Sequence, residues 1–294
     1  MRLLVTGATG FLGWRAATRL AEHGHDVTAV ARPGATPRAH SRDLEAVAMD
    51  AGDPAIHELI AGQDAVLHFA GVPDPARART DPARAVRENA GTTLNLLDGC
   101  ARHGAGLVYP SSIRAGVEPL PDAYAASKRL GEEVCRLHRA DAAVVRMTSV
   151  FGPGQVAWEG ATGAIAAFAG RALRGEPIVI PGDPRRTRDF LYVDDLLDGL
   201  ERLVAERAWG ELLLAAGGAA TPLIDAAELV LAAVGSDVPL QLPGGQLPAG
   251  EGASYAADPS VRRLGLTARP LAEGVSDYVD WLARHPPPQG RPPA

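Results

Sequence analysis

Between the apolar run Arg2–Thr6 and a helical periodicity that lasts to about Glu22, the chain reads Gly7-Ala8-Thr9-Gly10-Phe11-Leu12-Gly13. Three glycines at three-residue spacing, set where a buried strand turns into a helix, leave few folds open. The turn must be tight, and the helix must pack close against the strand; both are easier without a Cβ. The first N–H groups of the helix then face a surface bare of side chains. Unpaired donors and the positive end of the helix dipole make such a turn a place for an anion. His23-Gly24-His25 ends the helix, and Asp26–Ala31 reads as a second strand.

The alternation continues. Strands are expected near Leu44–Met49, Ala65–Phe69, Gly106–Tyr109 and Ala143–Met147, and helices near Ala55–Ile60, Ala83–Arg102 and Tyr124–Arg139. Short apolar strands alternating with helical patterns build an α/β fold, a Rossmann-type doubly wound parallel sheet covered on both faces. After Gly152 the rhythm breaks. Ala161–Leu173 and Asp194–Arg207 read as helices, the second capped by Asp194 or Asp195. Pro177–Ile180, Thr187–Val193 and Leu212–Ala215 read as short extended segments, and a last helix spans Leu271–Ala283. The pattern therefore predicts a dinucleotide-binding domain over residues 1–170 and a small C-terminal substrate-binding lobe over 171–285. Residues 194–215 are expected to return to the core sheet, and the Pro-rich end, 286–294, is expected to be a disordered tail.

Composition removes several functions. At 294 residues with 46% apolar content, the chain can bury one large α/β core and a smaller lobe. Its net charge is −6 and its arginines are scattered, so it lacks the basic stripe a nucleic acid needs. No run approaches the ~18 apolar residues of a membrane span, and nothing before Arg2 can hold a presequence, so a cytoplasmic location is expected. Cys100 and Cys135 both fall in helical patterns and define neither a disulfide scaffold nor a metal site; no metal is expected. Lys128 is the sole lysine among 29 basic residues. Where Arg serves everywhere else, a retained ammonium suggests a place that a guanidinium cannot fill.

That lysine closes the motif Tyr124-Ala-Ala-Ser-Lys128. Four residues apart on a helix, phenol and ammonium share one face. A phenol is a poor base at neutral pH, and a neighbouring cation favours its phenolate; such a pair suits proton exchange with a carbinol or carbonyl oxygen. Ser111-Ser112 follows the Gly106–Tyr109 strand at its C-terminal end, where open α/β sheets hold ligands.

Taken in order, these motifs resemble the extended short-chain dehydrogenase/reductase family, also called the NAD-dependent epimerase/dehydratase family. Thr6–Gly13 matches its Thr-Gly-x-x-Gly-x-x-Gly opening, and the resemblance covers about 280 residues. It implies a cofactor cradle made by Gly7, Thr9, Gly10, Phe11, Leu12 and Gly13, with Asp50 and Ala51 near the adenine. His68-Phe69-Ala70-Gly71 matches the stretch lining the cofactor, so Phe69, Ala70 and Gly71 join the cradle. Asn89 matches a helix asparagine that steadies the active-site strand, and it is counted among the cofactor-binding residues. It further implies that Ser112, Tyr124 and Lys128 are the catalytic group, with Tyr124 and Lys128 also touching the cofactor. Ser111, Ser149 and Arg188 are implied in substrate binding, Arg188 at a diphosphate. A homodimer through the helices near Ala83–Arg102 and Tyr124–Arg139 is the family habit.

The second strand ends Val30-Ala31-Arg32, with no carboxylate to pair the adenosine ribose diol. A planar Arg fork suits a 2′-phosphate, so NADP(H) is expected to be preferred, with NAD(H) left open; Arg38 and Arg42 are candidate helpers. The sequence also departs from the family. Only 11 residues separate Ser112 from Tyr124, Ser149 stands where an asparagine is usual, and Gly250–Ser254 offers no second arginine. Ile113 and Arg114 occupy the place of a dehydratase's acid/base pair. The expectation is an NAD(P)-dependent reductase of a keto group on a nucleoside-diphosphate sugar, of the 4-ketoreductase kind, with Tyr124 as acid/base. An NAD-dependent nucleotide-sugar 4-epimerase, a reductase of a non-nucleotide carbonyl compound and a non-catalytic binding protein are the alternatives.

Overall fold

The computed structural model describes residues 1–35, 44–158, 163–248, 250–255 and 258–286. Arg38, Arg42 and the tail from residue 287 onward lie outside the described residues. The chain divides into two compact units. The first comprises Met1–Met147, Leu197–Ala215 and Asp258–Leu266. It holds β1 (Arg2–Thr6), α1 (Phe11–Glu22), β2 (Asp26–Ala31), β3 (Val47–Ala48), α2 (His57–Ile60) and β4 (Ala65–His68). There follow α3 (Pro75–Thr80), α4 (Pro82–Val86), α5 (Thr92–His103), β5 (Gly106–Ser112), α6 (Ala123–Leu137) and β6 (Ala142–Met147). The other unit comprises Thr148–Leu196, Ala216–Ala257 and Thr267–Ala294. Its first elements are β7 (Ser149–Phe151), α7 (Ala164–Leu173), β8 (Ile178–Pro181) and β9 (Thr187–Tyr192). The helix α8 (Val193–Ala205) carries the chain back to the first unit, where β10 (Leu212–Ala215) lies. The remaining elements are β11 (Ala220–Pro222), α9 (Leu223–Val234), β12 (Leu240–Gly244) and α10 (Leu271–Arg284).

Seven strands of the first unit form one sheet in the order β10-β6-β5-β4-β1-β2-β3, parallel at each pairing. The order reverses between β1 and β4, and ligands of open α/β sheets lie off the C-terminal ends at such a switch point. β1 (burial eBBBB) and β4 (BBBB) are buried nearly end to end, as strands covered on both faces must be. Leu4, Val66, Leu96, Leu97, Leu107 and Tyr109 pack in the core between sheet and helices. Gly131 on α6 permits the closest approach: a Cβ there would enter the Tyr109 ring. Beside α1, Arg19 Nη2 lies 2.6 Å from Asp198, while His23 and His25 hold the two oxygens of Glu201 at 2.7 and 2.8 Å. These pairs tie the α1–β2 turn to the later part of α8.

Several elements differ from expectation. The first unit's long opening segment ends at Met147, not near residue 170, because β7 pairs with β9 instead of joining the large sheet. The helix expected over Ala83–Arg102 is α4 and α5 joined by a π-helical turn at Arg87–Gly91. Asp194 and Asp195 lie inside the first turn of α8, which starts at Val193, so neither is its cap. Asp195 instead takes the backbone N–H and the guanidinium of Arg269 at 2.8 and 2.9 Å. Helix α9 was not foreseen. Its sequence LIDAAELVLAAV offers almost no polar face, and without one the helical period disappears from the pattern.

Candidate active site

Thr6, the last residue of β1, is wholly buried and knits two strand ends together. Its Oγ1 accepts the Ala70 N–H at 3.1 Å and is hydrogen-bonded to His68 Nδ1 at 2.9 Å. The other ring nitrogen, Nε2, has no hydrogen-bond partner among the described residues. Burial, followed by the charge of Lys128, holds the His68 pKa down to about 3, so the ring is neutral. Beyond Thr6 the glycine turn closes as its spacing requires. A Cβ on Gly7 would lie 2.7 Å from Ala70 N, and one on Gly13 would overlap the Gly7 carbonyl. Gly10 caps α1 with no side-chain bond, and the first turn of α1 contains no acid.

Thr9, Gly10, Phe11 and Leu12 thus frame an open helix N-terminus whose donors and partial charge fit a pyrophosphate. The bare Gly7 and Gly13 backbone fits its close approach. Asp50 accepts the Gly52 N–H at 2.8 Å, and the Ala51 carbonyl takes the Asn95 amide at 2.9 Å. Phe69, Ala70 and Gly71 follow β4. Asn89 lies behind them: its Oδ1 takes Val72 N–H at 2.8 Å, and its Nδ2 donates to Val72 O and to Ser127 Oγ at 3.2 and 2.9 Å. Those bonds make it a support for the cradle and for α6, not a cofactor contact. Arg32 at the tip of β2 has a 58% exposed side chain and meets Glu88 at 3.3 Å. Glu88 also holds Arg84 Nε at 2.6 Å.

β5 and α6 place the catalytic candidates. Side chains alternate along a strand, so the adjacent serines face opposite ways. Ser112 stays partly exposed and accepts the Arg114 N–H at 3.2 Å; its hydroxyl favours the charged form of the Tyr124 phenol. Ser111 is 1% exposed and donates to Glu132 at 2.5 Å. Its expected contact with substrate is therefore corrected: it belongs to a buried network in which Glu132 also takes Arg146 Nε and Nη2 at 2.9 and 2.7 Å. Asp122 caps α6, taking the Ala125 N–H at 2.8 Å, and this fixes the first turn that carries Tyr124. One turn on, Lys128 Nζ donates to the Pro110 carbonyl at 2.8 Å and lies 5.1 Å from the centre of the Tyr109 ring.

The electrostatics depart from the expected ammonium–phenol pairing. Burial raises the Tyr124 pKa to about 12; Arg114 opposes it most, then the Ser112 hydrogen bond, while Asp122 and Asp74 push it up further. Burial lowers the Lys128 pKa to about 8 against the pull of Glu132. Sequence reading had taken Arg114 only as a missing acid, and it passed over Asp122 and Glu132. Both acids had signals: Asp122 stands at a helix-cap position before Ala123, and Glu132 is four residues beyond Lys128 on the same helical face.

In the second unit Ser149 opens β7 in register with Phe190. Arg188 on β9 donates to the carbonyls of Thr187, Ala253 and Glu251 at 2.8, 2.6 and 2.9 Å and lies over the Tyr255 ring. Two of these hydrogen bonds and the ring contact thus hold the chain over residues 251–255. Asp189 beside it accepts the N–H groups of Gly217 and Gly218 at 2.7 and 2.9 Å. Among the described residues no helix is long and apolar enough to cross a membrane.

The profile of the NAD dependent epimerase/dehydratase family matches residues 3–211, which includes the glycine turn, Ser112, Tyr124 and Lys128. The chain belongs to this family. A dTDP-glucose 4,6-dehydratase of Streptomyces griseus is 30% identical over 96% of the chain and 94% of its own length. UDP-glucuronic acid decarboxylase 4 of Arabidopsis thaliana is 27% identical over 69% of the chain, which spans about half (51%) of that relative. Among solved structures, the UDP-glucose 4-epimerase of Thermotoga maritima, crystallised with UDP-glucose, superimposes with a TM-score of 0.83 over 97% of this chain and 99% of its own. At 24% identity that likeness concerns the fold. MoeE5, solved with UDP-glucuronic acid and NAD, is 26% identical with a TM-score of 0.82 over 97% of this chain and all of its own. These relatives are named for reactions of nucleotide sugars, and membership of the family makes this chain an NAD-dependent enzyme of the epimerase/dehydratase type.

Proposed function

We propose that the protein inverts one hydroxyl-bearing carbon of a nucleoside-diphosphate sugar, with NAD retained through both half-reactions. The observation that carries this reading is the Ser112 hydroxyl favouring the charged form of the Tyr124 phenol, with Ile113 and Arg114 following the serine at once. Such a pair can hold one substrate oxygen and move its proton. No carboxyl group stands in the next two positions to expel water from a neighbouring carbon, which distinguishes the site from a dehydratase. Bound NAD supplies a hydride acceptor and donor. Tyr124 takes the hydroxyl proton and returns it, Ser112 keeps the oxygen in place, and Lys128 anchors the floor of the site through Pro110. Arg188 and Ser149 are assigned to the nucleotide-sugar diphosphate, and a homodimer forms through α5 and α6, where Leu94, Leu130 and Leu137 are exposed.

NAD is favoured over NADP because Arg32 already faces Glu88, whose charge opposes a 2′-phosphate nearby. A 4-ketoreductase remains the second reading, since the exposed Arg32 can rotate toward a 2′-phosphate. Gel filtration followed by incubation with UDP- and dTDP-sugars separates the two. Retained NAD and a mixture of epimers without net cofactor consumption supports the epimerase. An empty protein that oxidises added NADPH stoichiometrically on a keto sugar supports the reductase.

A further inference from the structure

Arg114 counts in the reading above only as the absence of an acid, yet it is bonded to the serine of the acid/base pair and acts by its charge on the tyrosine. Its backbone N–H occupies a lone pair of Ser112 Oγ at 3.2 Å, which leaves the serine proton to point elsewhere. Its guanidinium is ion-paired with Asp122, and the two side chains are 13% and 8% exposed. Asp122 uses its other oxygen to cap the helix that bears Tyr124. One residue therefore joins the end of β5 to the first turn of α6, across the short segment between Ser112 and Tyr124.

We propose that the Arg114–Asp122 pair is a positioning and charge-setting device for Tyr124: the arginine favours the phenolate, and the aspartate moderates it. Among the described residues, few charged groups act on the phenol. Arg114 and Asp122 face it from the turn and the helix cap; Asp74, buried at the N-cap of α3, faces it from the third side with Arg77 at 3.4 Å. Arg84 and Glu88 on the α4 side pair with each other, and Lys128 on α6 is directed to Pro110. Of these, Arg114 does most to lower the phenol pKa, and Asp122 acts in the opposite sense.

This inference rests on Tyr124 being the acid/base, but its test does not require turnover. A fluorinated tyrosine, whose phenol titrates several units lower, replaces Tyr124 in the NAD-saturated protein; its phenolate absorbance is titrated, and the curve of Tyr124→Phe is subtracted to isolate the one phenol. Arg114→Met should raise its pKa by about one unit, and Asp122→Asn, which keeps the helix cap, should lower it. Arg114→Lys, retaining the charge, should stay near the wild-type value. A clamp that is only mechanical moves Arg114→Met and Asp122→Asn in the same direction, because either change breaks it. Shifts of equal sign, or none in either variant, overturn the proposal. A protein that shows these opposed shifts but epimerises no sugar leaves the device intact and removes only the reaction assigned above.

Discussion

A phenol with a pKa near 12 is a proton donor before it is a base, so the charge around Tyr124 matters as much as its position. Tyr124→Phe keeps the ring but removes the exchangeable proton; turnover should fall by about 10²–10⁴-fold, with cofactor affinity within about threefold by calorimetry. Lys128 is a different case. Its pKa is depressed to about 8, below the unfolded value, so the folded state binds this proton less readily than the unfolded one. Stability therefore rises with pH through the interval between those values, and a buried ammonium costs stability below it. Lys128→Met should abolish activity yet raise Tm by about 2 °C at pH 7; a lower Tm would show that the Pro110 bond outweighs burial. Arg32→Ala should leave NAD affinity within about threefold and weaken NADPH by about tenfold or less; a larger NADPH loss would restore the reductase reading. Tyr124 and Lys128 were legible in the sequence from helical spacing alone. Ser111 and Ser112 were not separable there, because which face of a strand is buried depends on what packs behind it, here Glu132 and Arg146.

Elements whose exposed face is polar announced themselves; those that are very short or apolar on both faces did not. β1, α1 and β2 emerged from the glycine turn and the change of period, and the long α5–α6 region from its amphipathic stripes. α9 buries Leu223, Ala226, Ala227 and Val230, but apart from Asp225 and Glu228 its other positions are Leu, Ile, Val and Ala too, so hydropathy does not mark the buried stripe. β7, β11 and β12 are three to five residues long, too short for alternation to register. The glycine turn gives the sharpest test at this scale. Gly13→Ala pushes a methyl into the Gly7 carbonyl, and the neighbouring backbone has nowhere to relax without losing the approach to Ala70. Denaturant unfolding should show a loss of about 1–3 kcal/mol, accompanied by at least tenfold weaker NAD binding. Unchanged binding would mean that α1 does not receive the pyrophosphate.

Across the whole molecule, charge and exposed apolar surface make separate predictions. Burial pushes the Glu201 carboxyl up, but the hydrogen bonds from His23 and His25 outweigh it and leave its pKa below the usual 4.5. A depressed carboxylate stabilises the fold above its unfolded pKa and loses that contribution as pH falls through the folded one. Glu201→Gln should thus lower Tm at pH 7, and the gap to wild type should close below about pH 4.5. Leu137 on α6 is 72% exposed, with Leu94 and Leu130 also open; the homodimer proposed above predicts that the wild type sediments as a dimer and that Leu130→Asp with Leu137→Asp sediments as a monomer. The fold class was legible at this scale, whereas the interleaving of the two units was not, since it depends on pairings between distant segments. β10 lies at the end of the sheet, yet its Leu214 bonds the carbonyl of Arg262 and accepts from Leu264 at 2.8 Å each. The strand that finishes the first unit is thus sheltered by residues made some fifty positions later. On the ribosome, a nascent chain of 215 residues would present a finished sheet with a bare edge, and an edge of that kind invites pairing with another chain. Synthesis must therefore run through Leu266 before the cofactor-binding unit is safe from its neighbours, and a stop codon anywhere before that point should yield aggregates instead of a free-standing nucleotide-binding half.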